Sequence, residues 1–336
     1  MMRLLIATDA WRPQINGVVR SLEYMAAEAP RFGAEVVFLT PERFHSFPMP
    51  TYPEIRLSLV RPGSLAGILE EIRPTHVHIA TEGPIGLAAR LACARQGRAF
   101  TTSYHTRFPE YVAARTKIPE AWSYGALKRF HQAARAMMVS TPSLERELTG
   151  RGFRNIMRWT RGVDTALFRP RNERILDSSA PIFLSVGRVA IEKNLDAFLS
   201  LDLPGTKVVV GDGPARAELE RRYPDARFLG ALTGEDLARV YASSDVFVFP
   251  SLTDTFGIVL IEALASGLPV AAFPVTGPLD VIGASGCGVL EADLRAAALA
   301  ALDIPKDRCR AHGETFTWHE SARQFFSNIE KAHSGR

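Results

Sequence analysis

Cysteine is scarce in this chain of 336 residues: Cys93, Cys287 and Cys309 are odd in number, far apart and without metal-ligand spacing. That count excludes a disulfide framework and reads as reduced, packed thiols in a cytoplasmic protein. No apolar run approaches the roughly 20 residues needed to span a bilayer. The opening M-M-R-L-L-I-A-T-D passes from strand pattern into charge and lacks the form of a signal peptide. No basic run with interleaved aromatics offers a nucleic-acid platform, so nucleic acid ranks last among partners. There is no D-x-D and no His/Cys/Asp/Glu cluster with metal spacing, so neither a catalytic metal nor a cofactor is expected. What is present is an ordinary globular composition, 46% hydrophobic and 23% charged, with a net charge of +4. The positive balance favours anionic partners, either phosphorylated small molecules or an anionic membrane surface.

Short apolar strands alternate with helices along the chain. Strand patterns run from Arg3 to Thr8, Glu35 to Thr40, Thr75 to Ala80, Ala99 to Tyr104 and Ala136 to Ser140. Helical patterns run from Val18 to about Phe32, Pro84 to Gln96 and Pro142 to Arg151. A second series starts at Pro181 and continues with Thr206 to Pro214, Ala226 to Leu229, Asp245 to Pro250 and Pro269 to Phe273. The alternation predicts an α/β fold with parallel sheets and helices on both faces. The polar, Pro-containing stretch around Phe168 to Ala180 suits a hinge. Two doubly wound domains facing each other across a cleft are expected, residues 1–170 and 171–314.

Ligands of open α/β sheets sit at the carboxyl ends of the strands. The loops there hold Asp9 to Gly17, Thr81 to Gly83, His105 to Glu110, Gly187 to Lys193, Gly211 to Pro214 and Ser251 to Gly257. Together they suit a nucleotide-sugar: glycines for close approach, two cations in one loop, carboxylates for hydroxyls and a histidine from the other domain. In S-L-T-D-T-F-G-I-V-L-I-E, Thr253 and Asp254 read as cap-type side chains and Gly257 as the opening of a helix whose free N–H groups attract phosphate. Asp254 and Glu262, about two turns apart, suit hydroxyls at the two ends of a nucleotide-linked sugar; the competing reading makes one a cap and the other a solvated face residue. Arg188 and Lys193 suit a diphosphate leaving group, against a surface pairing of Lys193 with Glu192 or another acid. Gly17 either starts a helix beside the diphosphate or is a plain loop glycine. His105, directly after a strand in S-Y-H-T-R-F-P-E-Y, favours an active-site role. G-D-G-P at 211–214 lacks the G-x-G-x-x-G spacing of an NAD site. From Arg115 to Met138, Trp122, Tyr124, Leu127 and Phe130 mix with Lys117, Lys128, Arg129 and Arg135, which fits either an interfacial membrane helix or an amphipathic helix facing the core.

These residues jointly resemble the retaining glycosyltransferases of family 4 (glycosyl transferases group 1), of GT-B architecture, in which two Rossmann-like domains face across a cleft. The resemblance spans essentially the whole chain. Its signature is an acid, seven residues, then a Glu, with Asp254 here where Glu is commoner. S-Y-H-T-R-F-P-E-Y, R-G-V-D-T-A-L-F-R-P and T-D-T-F-G-I-V-L-I-E-A-L-A-S-G are similar to the subgroup of sulfoquinovosyl- and glucosyl-diacylglycerol synthases and related mannosyltransferases. The resemblance implies catalytic roles for His105, Arg188, Lys193 and Asp254. It implies donor binding by Gly17, Gly187, Gly211, Asp212, Thr255, Phe256, Gly257, Ile258 and Glu262, with no metal. It implies that the helix within 315–336 crosses back to the first domain. The expected activity is transfer of a hexose or hexuronic acid, with retention, from a UDP-sugar or, second, GDP-mannose. The expected acceptor is a hydroxyl on a lipid such as diacylglycerol, reached peripherally at the cytoplasmic face of the inner membrane. The alternatives are a nucleotide-sugar 2-epimerase and a non-catalytic nucleotide-sugar-binding protein, with a dehydrogenase third.

Overall fold

The computed structural model describes every residue except 15, 50–51, 108, 111–118, 173, 179 and 335–336. The chain divides into two compact units: Met1–Thr160 with Trp318–Arg336, and Arg161–Thr317. Residues 161–170, read from the sequence as the end of the first domain, lie in the second unit. There the Val163 amide donates to the Phe316 carbonyl at 3.0 Å, and the Phe168 ring meets Tyr241 edge-on at 5.6 Å. Of the stretch read as a hinge, 173 and 179 lie outside the described residues.

The first unit contains β1 (Met2–Ala7), β2 (Ala34–Leu39), β3 (Ser46–Met49), β4 (Tyr52–Ser58), β5 (His76–Ile79), β6 (Thr101–Ser103), β7 (Ala136–Val139) and β8 (Ile156–Arg158). Six form one sheet in the order β2-β1-β5-β6-β7-β8, every neighbouring pair parallel. Its central strands read as near-continuous apolar runs because helices cover a parallel sheet on both faces. β3 and β4 make a separate antiparallel hairpin that the sequence reading places nowhere. Phe47 on that hairpin is exposed and Pro48 interrupts the run, so the apolar alternation that announces a strand is missing. Helices Pro62–Ile72, Pro84–Arg95 and Pro142–Gly150 each open on a proline, whose missing N–H costs nothing at that position.

The helix Trp318–Ser334 completes this unit from the far end of the sequence. Trp318 stacks on Tyr24 at 4.2 Å, Phe326 on Phe32 at 5.3 Å, and Phe325 meets Trp159 at 4.6 Å. The Trp159 indole donates to the Ser321 hydroxyl at 3.0 Å. Each aromatic pair contributes about 0.5–1.5 kcal/mol beyond the area it buries. Of the segment weighed as a membrane helix, residues 115–118 lie outside the described residues and the helix spans Glu120–His131. Tyr124 and Phe130 are buried and Leu127 packs against the cluster that holds Tyr124, while Trp122 is 75% exposed. All but one of the apolar residues expected at a membrane thus face inward.

The second unit contains β9 (Ile182–Val186), β10 (Thr206–Val210), β11 (Arg227–Phe228), β12 (Val246–Phe249), β13 (Val270–Ala272) and β14 (Gly288–Leu290). Their order is β11-β10-β9-β12-β13-β14, again parallel throughout. The chain runs outward from β9 to β11, then returns to the other side of β9 as β12. The crevice between β9 and β12 is therefore the topological switch point, where ligands of such sheets bind. The equivalent point in the first unit lies between β1 and β5. All three cysteines are free and buried, and burial pushes the Cys93 thiol up to about 11 and Cys309 up to about 12.

Candidate active site

The loops after β9 and β12 are tied together across the switch point. Asn194, in the left-handed conformation with φ 53°, donates its side-chain amide to the Pro250 carbonyl at 3.1 Å. Beside it, the Lys193 ammonium donates to both Asp254 carboxylate oxygens, at 2.6 and 2.8 Å. Burial pushes the Asp254 carboxyl up, but the Lys193 charge and hydrogen bond, helped by the Arg188 charge, hold it below the usual carboxylate range. Arg188 lies 3.0 Å from Glu192. The competing partner weighed for Lys193 thus belongs to Arg188 instead.

Thr255, Phe256 and Gly257 lead into the helix Ile258–Ala265. Thr253 and Asp254 do not cap it, contrary to the sequence reading. Gly257 holds the cap position with φ 81° and no side-chain cap bond, and Asp254 is turned to Lys193. A Cβ on Gly257 would lie 3.0 Å from the Leu260 side chain and 3.3 Å from Phe249, so both conformation and space demand glycine. The Phe256 ring is buried edge-on to Phe316 at 6.2 Å, which anchors the turn and leaves its backbone at the helix mouth. Ile258 opens the helix and packs on the core. Glu262 is buried and accepts from the Tyr241 hydroxyl at 3.2 Å, which rules out a solvated face residue.

Gly187 and Gly211 approach each other: a Cβ on Gly211 would lie 1.8 Å from the Gly187 carbonyl oxygen. The Gly187 amide bonds Val210 and the Val189 amide bonds Asp212, at 3.0 and 2.9 Å. The close approach of the Gly187 loop thus requires glycine at 211. Asp212 accepts from the Gly213 amide at 2.7 Å and from Arg216 at 3.3 Å.

Gly17 and His105 belong to the first unit. Gly17 is the first residue of the helix Gly17–Glu28, whose cap is Asn16, accepting from the Val18 and Val19 amides at 3.0 Å. His105 follows β6 and meets Trp159 edge-on at 5.5 Å. Its loop is held by buried Arg107, which donates to Glu110 at 2.8 Å and to both Glu147 oxygens at 3.1 and 2.6 Å. The switch point of this unit holds Asp9, which accepts from the Thr81 hydroxyl at 2.8 Å and from the Ile85 and Gly86 amides at 2.8 and 3.2 Å. Burial, which outweighs these bonds, raises the Asp9 carboxyl above its ordinary value. Glu147, Tyr241 and the cap by Asn16 are absent from the sequence reading; only Asn16 had a local signal, a cap-type residue directly before a helix.

Residues 180–307 match the family model described as glycosyl transferases group 1, and residues 15–167 match glycosyltransferase family 4. A GDP-mannose-dependent alpha-mannosyltransferase of Mycobacterium tuberculosis is 34% identical over 86% of this chain and 83% of its own. An alpha-monoglucosyldiacylglycerol synthase of Streptococcus pneumoniae is 24% identical over 91% of this chain and 79% of its own. Among solved structures, sucrose-phosphate synthase from Thermosynechococcus elongatus superposes with a TM-score of 0.81 at 18% identity, covering 100% of both chains.

Proposed function

The chain belongs to the family 4 (group 1) glycosyltransferases, and from that premise we propose that it transfers a hexose, with retention, from a nucleoside-diphosphate sugar to a hydroxyl of a lipid acceptor. The observation that carries this reading is the Lys193–Asp254 pair at the switch point of the second unit, beside Arg188 and the mouth of the helix Ile258–Ala265. An ammonium has three protons, so Lys193 can hold Asp254 and a phosphate oxygen at once. Asp254, fixed and ionised, accepts from a sugar hydroxyl. The helix-mouth amides and Arg188 meet the charge that builds on the diphosphate as it leaves, and Glu262, braced by Tyr241, is assigned the ribose.

In the transfer, the bond between the anomeric carbon and the diphosphate oxygen breaks while the acceptor oxygen bonds the same face. The departing phosphate oxygen takes the acceptor's proton, so no protein nucleophile is required. His105 keeps, within this reading, the contact with the transferred sugar that the resemblance implies. The lipid acceptor is supported by the pneumococcal relative's name. Among the described residues no helix is long and apolar enough to cross a membrane, so the proposal places the enzyme at the membrane surface, on its cytoplasmic face. A UDP-sugar is the first donor to test, and the mycobacterial relative makes GDP-mannose the second.

The test is a thermal-shift screen with both donors, followed by incubation with diacylglycerol vesicles and determination of the product anomer. A donor at a hundred times its Kd adds about 2.7 kcal/mol, and an α-linked glycolipid is expected. Donor isomerised without acceptor would instead indicate an epimerase. Donor bound without turnover would indicate a binding protein.

A further inference from the structure

The second unit holds a cavity of about 310 Å³ at the end of its sheet opposite the Lys193–Asp254 pair. Pro181, Asp245 and Pro269 line it, and each stands directly before the first residue of a strand, β9, β12 and β13 in turn. The Lys193 and Asp254 loops follow the carboxyl ends of β9 and β12. Strands of five and four residues therefore keep the two places roughly 15 Å apart, at about 3.3 Å per residue. The donor's place in such a sheet is the carboxyl end, which leaves this cavity without a part in the transfer. At its centre the Asp245 carboxylate is held from two sides. Arg174 donates to one oxygen at 2.6 Å and Lys306 to the other at 3.2 Å, and the Ile182 amide donates to the first at 3.0 Å.

Two cations face one carboxylate, so the lining carries one positive charge in excess. Beyond Asp245, Arg174 bonds the Ser243 carbonyl at 3.4 Å and Lys306 that of Ser244 at 3.2 Å. Both Arg174 bonds come from Nη2, so the N–H groups on Nε and Nη1 remain, and Lys306 keeps one of its three protons. The two side chains are about half exposed, at 49% and 52%, and can turn toward an incoming anion. A tetrahedral oxyanion offers oxygens to donors arriving from two directions, whereas a planar carboxylate suits a single fork. Beside the cations, Leu302 and Ile304 supply an apolar wall. The volume lies at the small end of ligand sites, which suits a phosphate on a few carbons. We infer that this cavity is a second ligand site, for a small organic phosphate whose phosphate group bridges Arg174 and Lys306 and whose carbons lie against Leu302 and Ile304. Its occupant is neither donor nor acceptor, and the inference stands apart from the transfer reading.

The experiment is isothermal titration of the full chain, at constant ionic strength, with inorganic phosphate, monopropyl phosphate and butyrate. Monopropyl phosphate is expected to bind about tenfold more tightly than inorganic phosphate, from burial of its carbons. Arg174→Gln and Ala180→Glu should each weaken it about tenfold, while Lys193→Ala keeps the wild-type affinity. Ala180 lines the cavity without a part in the ion pairs, so Ala180→Glu cancels the excess charge and leaves Asp245 with its partners. That variant keeps the test open should Arg174→Gln fail to fold, and its thermal shift with UDP-sugar and GDP-mannose should match the wild type. Binding lost in Lys193→Ala and kept in Ala180→Glu would place the phosphate at the donor loops and overturn the site. No binding, equal affinity for inorganic and propyl phosphate, or butyrate bound as tightly as monopropyl phosphate would overturn it too. A chain that meets these expectations yet binds no nucleotide-sugar keeps the site and loses the transfer reading.

Discussion

Lys193 stands in the proposed site as both a structural and an electrostatic residue. Removing its ammonium takes away charge stabilisation of the leaving diphosphate, and Lys193→Ala should lower kcat/KM about a hundredfold, on the order of 3 kcal/mol. Steady-state kinetics with saturating acceptor checks this, and wild-type turnover would remove Lys193 from the site. The same substitution leaves Asp254 without its main partner. Because the folded Asp254 carboxyl lies below its ordinary value, its pairing contributes stability above about pH 4 and loses it as pH falls through the lowered value. The stability difference between wild type and Lys193→Ala, from urea unfolding at several pH values, should be largest near neutrality and shrink on acidification. A difference independent of pH would mean that the pair does not contribute in solution.

Elements here are placed by apolar pattern and locked by polar contacts between distant segments. Most strands of both sheets were legible because burial on both faces leaves near-continuous runs of Val, Ile, Leu and Phe, as at V-F-V-F in β12; the edge strands β8 and β14, three residues each and at most half-buried, were not. Pooling loops by the strand-end rule found Lys193 and Asp254, yet no periodicity links them, nor Arg107 to Glu147, nor Asp9 to the amides of Ile85 and Gly86. The cap before Ile258 was misread for a related reason: S-L-T-D-T-F-G offers several cap-type residues, and the left-handed backbone at Gly257 decides among them. The Arg107 cluster shows what such locks are worth. Arg107→Met leaves the Glu110 and Glu147 carboxylates facing each other largely out of water, which should cost on the order of 3 kcal/mol. A lowered melting temperature, together with a kcat loss larger than the KM change, is expected if the cluster holds the His105 loop. Arg107→Lys should recover only part of both, since an ammonium cannot reproduce the fork to Glu147.

At the scale of the whole molecule, the first unit is assembled from both ends of the sequence. Deleting residues 318–336 would strip Tyr24 and Phe32 of their aromatic partners and Trp159 of Phe325. The truncated chain should lose hydrogen-exchange protection across β1 and β5 while β9 and β12 stay protected. Equal protection in both units after truncation would show that the last helix is dispensable. The same connectivity sets a schedule during synthesis. Once Thr160 has been made, residues 161–317 must all follow before Trp318 appears, a delay on the order of ten to thirty seconds at about 5–20 residues per second. Through that interval the nascent first unit has its sheet but not its closing helix, and the second unit receives its last residue just before that helix begins. The later half of the chain is therefore the first to become complete, and the earlier half keeps the apolar surface meant for its last helix uncovered until the end of synthesis.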